Sequence, residues 1–168
     1  MAMKQANRDY QPFLNVLVPF LLFVLVLLSY VIGELFDGLV FKVWLLPIGV
    51  FYWALFVPGA TPIFLALLLA LLEDGLAGTP FGLHGLAILF LHYMAFAQRQ
   101  SLIYSPFAMV VTGFAINMAV VTVAMGGVMW LLDLPVNLWM IVSWVFTVIM
   151  FVMLTIWFDM VRQKFMKD

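Results

Sequence analysis

Two neighbouring acids, Glu73 and Asp74, begin a short segment that differs from the apolar sequence around it. This segment, 71–85, contains both acids, four glycines and a proline. Ionisable groups just within the membrane surface are costly and indicate a function by default. Alternatively, water solvates both acids at the interface and they have no such function. The residues predicted to form a partner-docking surface or a structural turn are Glu73, Asp74, Gly75, Gly78, Gly82 and Gly85.

Thr79 and Pro80 have the residue types of a helix start. Threonine is a good N-cap, and proline is favoured at the first helical position because its missing N–H would be unpaired there in any case. We therefore expect the fourth helix to begin at Pro80 and the third helix to end at Glu73 and Asp74. The carboxylate of Asp74 would then accept free amides at the start of the fourth helix, complement its dipole and fasten the two helices together.

A stripe of mostly small residues follows on the fourth helix. Gly82, Gly85, Leu89 and His92 recur at spacings of three, four and three residues, which places them on one helical face. Glycines on such a face let another membrane helix approach closely. Alternatively, Gly78, Gly82 and Gly85 only loosen a turn.

Residues for catalysis or metal binding are scarce. The chain has no cysteine, which excludes disulfides, thiolate metal sites and cysteine nucleophiles. It has no phosphate-binding glycine loop, no His-Glu-x-x-His helix and no serine nucleophile elbow. His84 and His92 are eight residues apart, about 80° around a helix, so they would not ligate one ion unaided. We predict no enzyme activity, no catalytic or metal-binding residue and no cofactor.

Composition defines the environment in which these residues must work. Of the 168 residues 67% are apolar and only 9% are charged, whereas a soluble domain is about a quarter charged. With 7 basic and 8 acidic residues, the chain has no excess of positive charge for binding nucleic acid. The sequence predicts an all-α protein in contact with membrane lipids.

The gaps between charged residues predict about six transmembrane helices in a single domain, because roughly 20 apolar residues cross a bilayer once. The uncharged stretch 43–72 is interrupted at 57–62 by two prolines and a glycine, so it is divided into two short helices. These two form either thin spans or a re-entrant hairpin. The predicted spans are about 12–33, 43–57, 61–75, 80–98, 104–131 and 135–159.

The basic residues predict the orientation of these spans. The first apolar run is about 22 residues long and lacks a small-residue cleavage site, so we interpret it as a retained span rather than a signal peptide. With both termini in the cytoplasm, six basic residues lie inside and only Lys42 lies outside, as the positive-inside rule requires. The inside set is Lys4, Arg8, Arg99, Arg162, Lys164 and Lys167.

The chain resembles the MreD family of bacterial rod shape-determining membrane proteins, nearly end to end. The resemblance rests on length, six spans, a short second helix with Pro47 and the aromatic residues 51–53, and the interruption at 58–62. It rests above all on an aspartate that ends the third helix, a glycine in the following turn and a further glycine that opens the fourth helix. These positions are Asp74, Gly78 and Gly82; Glu73 departs from the apolar residue expected before the aspartate.

The resemblance implies a non-enzymatic scaffold of the cell-elongation machinery in the bacterial inner membrane. Such a scaffold binds the single-span protein MreC and, directly or through it, the RodA glycosyltransferase and its transpeptidase partner. The family is similar in fold to the substrate-binding S-components of vitamin transporters, so a small-molecule binder whose pocket is lined by the segment 73–85 is the main alternative. A third class is an enzyme that acts on a lipid-linked substrate with Glu73, Asp74 or Asp133. Short loops with few polar side chains favour the scaffold.

Overall fold

The regular structure of this chain follows from its long apolar runs. A computed structural model describes residues 11–35, 43–57, 59, 63–136 and 139–166. Within these ranges all regular secondary structure is helical and no strand is present. The prediction of an all-α fold is confirmed for this part of the chain. Of the charged residues used to predict orientation, only Arg99 has its side chain among those that the structure describes.

In the described residues six α-helices follow one another. They are α1 Gln11–Leu35, α2 Leu46–Phe56, α3 Ile63–Ala77, α4 Leu83–Leu102, α5 Phe107–Leu131 and α6 Trp139–Met166. Helix α2 ends where expected, because Val57 precedes a proline and has left the helical region, with φ −136° and ψ 66°. Most of the interrupted segment, 58 and 60–62, lies outside the described residues.

Three of the described helices are long and apolar enough to cross a membrane. The apolar parts are Phe13–Gly33, Phe107–Leu131 and Met140–Met160. Large apolar side chains are exposed along all three helices, Val16, Val123 and Met153 among them. Such continuous apolar surface is unfavourable in water and suits lipid, so the structure indicates a membrane protein.

The short helix α2 lies at the centre of the fold. Every residue from Leu46 to Leu55 is buried, and the helix packs against α1, α4 and α6. A helix that is apolar all round has no face suited to water and is most stable when it is enclosed. Gly49 permits the close contact with α1, because a Cβ atom there would lie 2.6 Å from Cδ2 of Leu22.

Aromatic rings pack α2 against α5 and α6. Phe114 of α5 and Phe151 of α6 are stacked with centroids 4.0 Å apart, and Phe51 of α2 packs with its ring tilted against both. Offset and edge-to-face pairs of this kind add to the stability that burial provides. The aromatic run of the second helix is therefore part of the core.

Successive helices run in alternating directions. Ser29 near the end of α1 contacts Leu45 just before α2, and Trp44 contacts His84 near the start of α4. At the other end, Leu55 of α2 contacts Arg99 of α4. We call the end of the molecule with Trp44 and His84 the acidic end, because Glu73 and Asp74 lie there, and the end with Leu55 and Arg99 the arginine end.

Candidate functional site

The candidate site is the junction of α3, α4 and the residues before α2 at the acidic end. Helix α3 continues to Ala77, past the end expected at Glu73 and Asp74, and Gly78 follows with a left-handed φ of +66°. The amide of Thr79 then donates to the carbonyl of Asp74 at 3.1 Å, which is the pattern of a Schellman C-cap. A side chain at Gly78 would be strained even though the space around it is open.

The carboxylate of Asp74 caps the next helix. It is fully buried and accepts hydrogen bonds from the amide of Gly82 at 2.8 Å and the amide of His84 at 3.1 Å. These are free donors at the start of α4, where the helix dipole also favours a negative charge. The expected capping contact between Asp74 and the fourth helix is present.

The start of this helix corrects one prediction. Helix α4 begins at Leu83 and not at Pro80, and Gly82 precedes it with a left-handed φ of +95°. Thr79 is not the N-cap. Its hydroxyl donates to Oδ1 of Asp74 at 2.9 Å instead, because the aspartate reaches across from α3 and takes the capping position itself.

His84 is joined to the same carboxylate through its ring. Nδ1 of His84 lies 2.6 Å from Oδ1 of Asp74 and 3.2 Å from the hydroxyl oxygen of Thr79. A carboxylate oxygen accepts, so the contact requires a proton on Nδ1. Asp74 therefore receives donors from two amides, a hydroxyl and an imidazole, and the contacts orient the ring.

Glu73 points to a different neighbour. Its Oε2 accepts the indole N–H of Trp44 at 2.5 Å, while Oε1 is buried and has no hydrogen-bond partner among the described residues. The ring of Trp44 also meets the ring of His84 edge to face, with centroids 4.8 Å apart. Trp44 thus connects the two acids, through Glu73 directly and through His84 to Asp74.

The backbone before α2 is fixed by side chains from two further helices. The amide of Trp44 donates to the hydroxyl of Thr147 on α6 at 3.2 Å, and the amide of Leu45 donates to the hydroxyl of Ser29 on α1 at 3.0 Å. Backbone amides in an apolar environment need such partners. The acidic end therefore joins α1, α2, α3, α4 and α6 in one network of hydrogen bonds.

The arginine end has a smaller network around the end of α2. Nε of Arg99 donates to the carbonyl of Leu55 at 2.8 Å, which satisfies a free acceptor in the last turn of that helix. The hydroxyl of Tyr52 contacts Oδ1 of Asp159 on α6 at 2.6 Å. Sequence reasoning placed Arg99 and Asp159 at span ends but gave no signal for either contact.

The glycines predicted as site residues lie in different environments, one buried against α3 and the others in or near the turn before α4. Gly85 is buried against α3, where a Cβ atom would lie 3.1 Å from Cδ1 of Leu67. Gly82 lies in the turn before α4, and Gly75 is exposed beside the ring of Phe81. Gly85 therefore lets α3 pack closely within the chain, and this part of the predicted stripe is covered by the chain's own helix.

The described residues do not form a metal centre that sequence reasoning overlooked. No group of three or more His, Asp or Glu in this part of the chain could hold a metal ion. Nδ1 of His92 is buried without a hydrogen-bond partner among the described residues, and Asp133 is exposed beyond the end of α5 with a φ of +53°. No described contact joins either of them to Glu73 or Asp74.

Helices α4 and α5 border a half-open apolar cleft of about 200 Å³. Every residue that lines it is apolar, and the residues come from the half of each helix nearer the acidic end. The lining includes Leu86, Ala87 and Phe90 of α4 and Val121, Ala124 and Val128 of α5. Sequence reasoning did not predict this cleft.

Three residues of the junction were not identified as site residues from the sequence. Trp44 and Ser29 gave no signal in the sequence, and Thr147 was not among the predicted site residues. Their roles depend on contacts between residues 16 to 103 positions apart.

Comparisons of the chain with models of known protein families, with curated proteins and with solved structures found no match, so any functional assignment rests on this chain's own residues and contacts.

Proposed function

We propose that the chain is a non-enzymatic membrane scaffold of the MreD type. It would bind MreC, engage RodA and its transpeptidase partner directly or indirectly, and help organise wall synthesis during the lateral growth of rod-shaped bacteria. The observation that carries the proposal is the set of contacts made by Asp74. This carboxylate joins α3 to α4 through the amides of Gly82 and His84. Asp74 and Gly82, two of the positions on which the resemblance rests, therefore have a structural role in the fold.

The same contacts favour a scaffold over an enzyme. A catalytic carboxylate must face the space where a substrate binds. Asp74 is instead fully buried and surrounded by donors of its own chain, and Oε2 of Glu73 accepts the indole of Trp44. Asp133, the third acid of the enzyme alternative, is exposed and makes no described contact with this pair.

A six-span arrangement belongs to this proposal. Helices α2 and α3 are short, with 11 and 15 residues. Nevertheless the segment from Trp44 to Leu55, which includes most of α2, lies beside α4 between His84 and Arg99, two positions about 22 Å apart along the axis of α4. This depth supports two thin spans rather than a shallow re-entrant hairpin. We propose that the arginine end faces the cytoplasm with both termini, and that the membrane is the bacterial inner membrane.

The S-component alternative requires a pocket with several convergent polar groups. The cleft found between α4 and α5 is lined entirely by apolar residues. At the acidic end, where that alternative places a substrate, the polar side chains are bonded within the chain. The indole of Trp44 donates to Glu73, the hydroxyl of Thr79 donates to Asp74, and Asp74 accepts the amide of Gly82. These features support the scaffold, and the fold similarity to S-components stays a proposal.

Affinity purification of a tagged copy from its native membrane in mild detergent tests the proposal. Mass spectrometry would identify both the proteins and the small molecules that are recovered. We expect a single-span partner together with wall-synthesis enzymes. A stoichiometric vitamin-like ligand together with an ATPase module would contradict the scaffold function and establish the transporter alternative.

A further inference from the structure

The two neighbouring acids of the acidic end have different surroundings. Asp74 is fully buried, and its carboxylate accepts two backbone amides, the hydroxyl of Thr79 and Nδ1 of His84. Glu73 is also buried, with 8% of its surface exposed, but its Oε2 accepts only the indole of Trp44. The other oxygen, Oε1, is buried and has no hydrogen-bond partner among the described residues. The structure therefore favours a charge on Asp74 and disfavours one on Glu73.

An ionised carboxylate needs more donors than Glu73 has. Its two oxygens offer about four acceptor sites. A charge buried with so few donors is costly enough that a carboxyl group in such a place takes up a proton instead. With a proton on Oε1 the group is neutral, and Oε2 still accepts the indole of Trp44. Protonation thus removes the buried charge and retains the observed contact.

The titratable neighbours of Glu73 act in the same direction. Asp74, the next residue on α3, places a negative charge beside it, and a second negative charge there would be repelled. On α4 the titratable neighbour is His84, whose Nδ1 faces Asp74 and whose ring meets the ring of Trp44. Neither neighbour supplies a donor to Oε1 of Glu73.

The other helices of the junction add no charge to it from their described side chains. Ser29 of α1 and Thr147 of α6 are hydroxyls that accept the backbone amides before α2. No ion pair joins Glu73 to a basic side chain in the part of the chain that the structure describes. The charged side chains of the segment 34–42 lie outside the described ones; they are Glu34, Asp37 and Lys42.

Loss of a proton from Glu73 would affect the whole junction. An ionised Glu73 is stable only where water or another donor reaches Oε1, so the carboxylate would have to leave its buried position. The indole of Trp44 would then lose its acceptor, and Trp44 is also the residue that packs against His84 at the start of α4. Protonation therefore favours the packing that the structure shows.

We propose that Glu73 is a proton-binding site that keeps the acidic end closed. In the folded protein near neutral pH, Oε1 carries a proton, and release of this proton under alkaline conditions separates Trp44 from α3. The inference goes beyond the proposed scaffold function and does not depend on which partner the chain binds.

Infrared difference spectroscopy detects the proton directly. The spectrum of Glu73→Gln is subtracted from that of the wild type, both full-length and reconstituted in lipid at neutral pH. We expect the band of a protonated carboxyl group, which shifts in D2O, and no loss of carboxylate absorption. Asp133→Asn removes an exposed acid, and this matched control should leave the protonated band in place.

Two outcomes of the infrared experiment would overturn the proposal. A difference confined to the carboxylate bands would show that Glu73 is ionised. A protonated band that is absent from the wild type and appears only in Lys42→Gln would show that Glu73 is ionised and paired with Lys42.

Dicyclohexylcarbodiimide provides a measurement on the wild type alone, in case Glu73→Gln does not fold. This apolar reagent reacts with carboxyl groups that carry a proton. The proton goes to a carbodiimide nitrogen, the carboxyl oxygen bonds to the central carbon, and the adduct rearranges to a stable N-acylurea. Mass spectrometry should locate the adduct on Glu73, and an adduct on Asp74 alone would show that the proton is assigned to the wrong acid.

The pH dependence of stability tests whether the proton keeps the acidic end closed. A folded protein that binds a proton which the unfolded chain releases becomes less stable as the pH rises. Tm of the wild type in detergent should therefore fall from neutral to alkaline pH, and more steeply than Tm of Glu73→Gln, whose amide does not titrate. Parallel Tm profiles would overturn the closing role. If the infrared band is present but no partner is recovered from the native membrane, the scaffold function fails and the proton site stands.

Discussion

Asp74 and His84 are joined at two points. Oδ1 of Asp74 accepts the backbone amide of His84 at 3.1 Å and lies 2.6 Å from Nδ1 of the same residue. One carboxylate therefore fixes both the start of α4 and the orientation of a ring on it. Since the aspartate lies on α3, the relative position of the two helices depends on this residue.

Replacing Asp74 should destabilise the protein. Asp74→Ala removes the acceptor of two amides and a hydroxyl in a buried place, and we expect a loss of about 2 kcal/mol in the free energy of unfolding. For a chain of this size that corresponds to a fall in Tm of roughly 4–8 °C in detergent. Asp74→Asn keeps an acceptor oxygen and should lose less. Gln100→Ala, at an exposed position of α4, should leave Tm unchanged; an unchanged Tm for Asp74→Ala would contradict the capping role.

The contact between Glu73 and Trp44 should appear as an interaction free energy. Trp44→Phe removes the indole donor and Glu73→Leu removes its acceptor. The loss in free energy of unfolding of the double variant should therefore be about 1 kcal/mol smaller than the sum of the losses of the two single variants. Thermal unfolding of the four proteins in detergent measures this difference. Glu73→Gln retains an acceptor for the indole and should resemble the wild type more closely than Glu73→Leu. Strict additivity would show that the hydrogen bond does not contribute.

The two left-handed glycines should tolerate alanine poorly. Gly78→Ala and Gly82→Ala each force an L residue into positive φ, at a cost of roughly 1–2 kcal/mol, although the space around both positions is open. Asparagine at Gly78 should cost less than alanine, since it enters this region more readily. The control is Gly127→Ala in α5, where the space is equally open and no positive φ is present, so Tm should hold or rise. Equal losses at all three glycines would argue against backbone strain.

Gly49 should be sensitive for a different reason. A Cβ atom there would lie 2.6 Å from Leu22 and 2.7 Å from Leu25, and both leucines are buried. We expect Gly49→Ala to cost about 1–3 kcal/mol through overpacking between α1 and α2. Adding Leu25→Ala should restore part of the loss because it removes one of the two clashing groups. If Gly49→Ala is as stable as the wild type, α1 and α2 are less closely packed than described.

The proposed orientation predicts which cysteines react from outside the cell. Phe81 lies in the turn at the acidic end and is 81% exposed, and Tyr104 follows α4 at the arginine end and is 87% exposed. A membrane-impermeant maleimide should label Phe81→Cys in intact spheroplasts and Tyr104→Cys only after the membrane is opened. The wild type has no cysteine and provides the unlabelled control. The reverse pattern would invert the proposed topology.

The helices themselves were largely predictable. Apolar runs between charges predicted six helices close to those observed, because helix formation in an apolar chain is a local property of length and hydropathy. The predicted start of α4 was wrong by three residues. Thr79 and Pro80 have the right types for a helix start, but an aspartate from the preceding helix takes the capping position, and local rules do not include that contact.

The sequence by itself determined the all-helical class, the apolar membrane-type surface, the absence of cysteine chemistry and the importance of Asp74 beside a glycine-rich turn. The tertiary structure alone decided that Trp44 bonds to Glu73, that Ser29 and Thr147 hold the chain before α2, and that Gly85 is covered by Leu67. It also decided that α4 and α5 separate to form a cleft. The physical reason is that hydropathy and capping preferences act over a few neighbouring residues. Which helix faces meet depends on how all the side chains pack together.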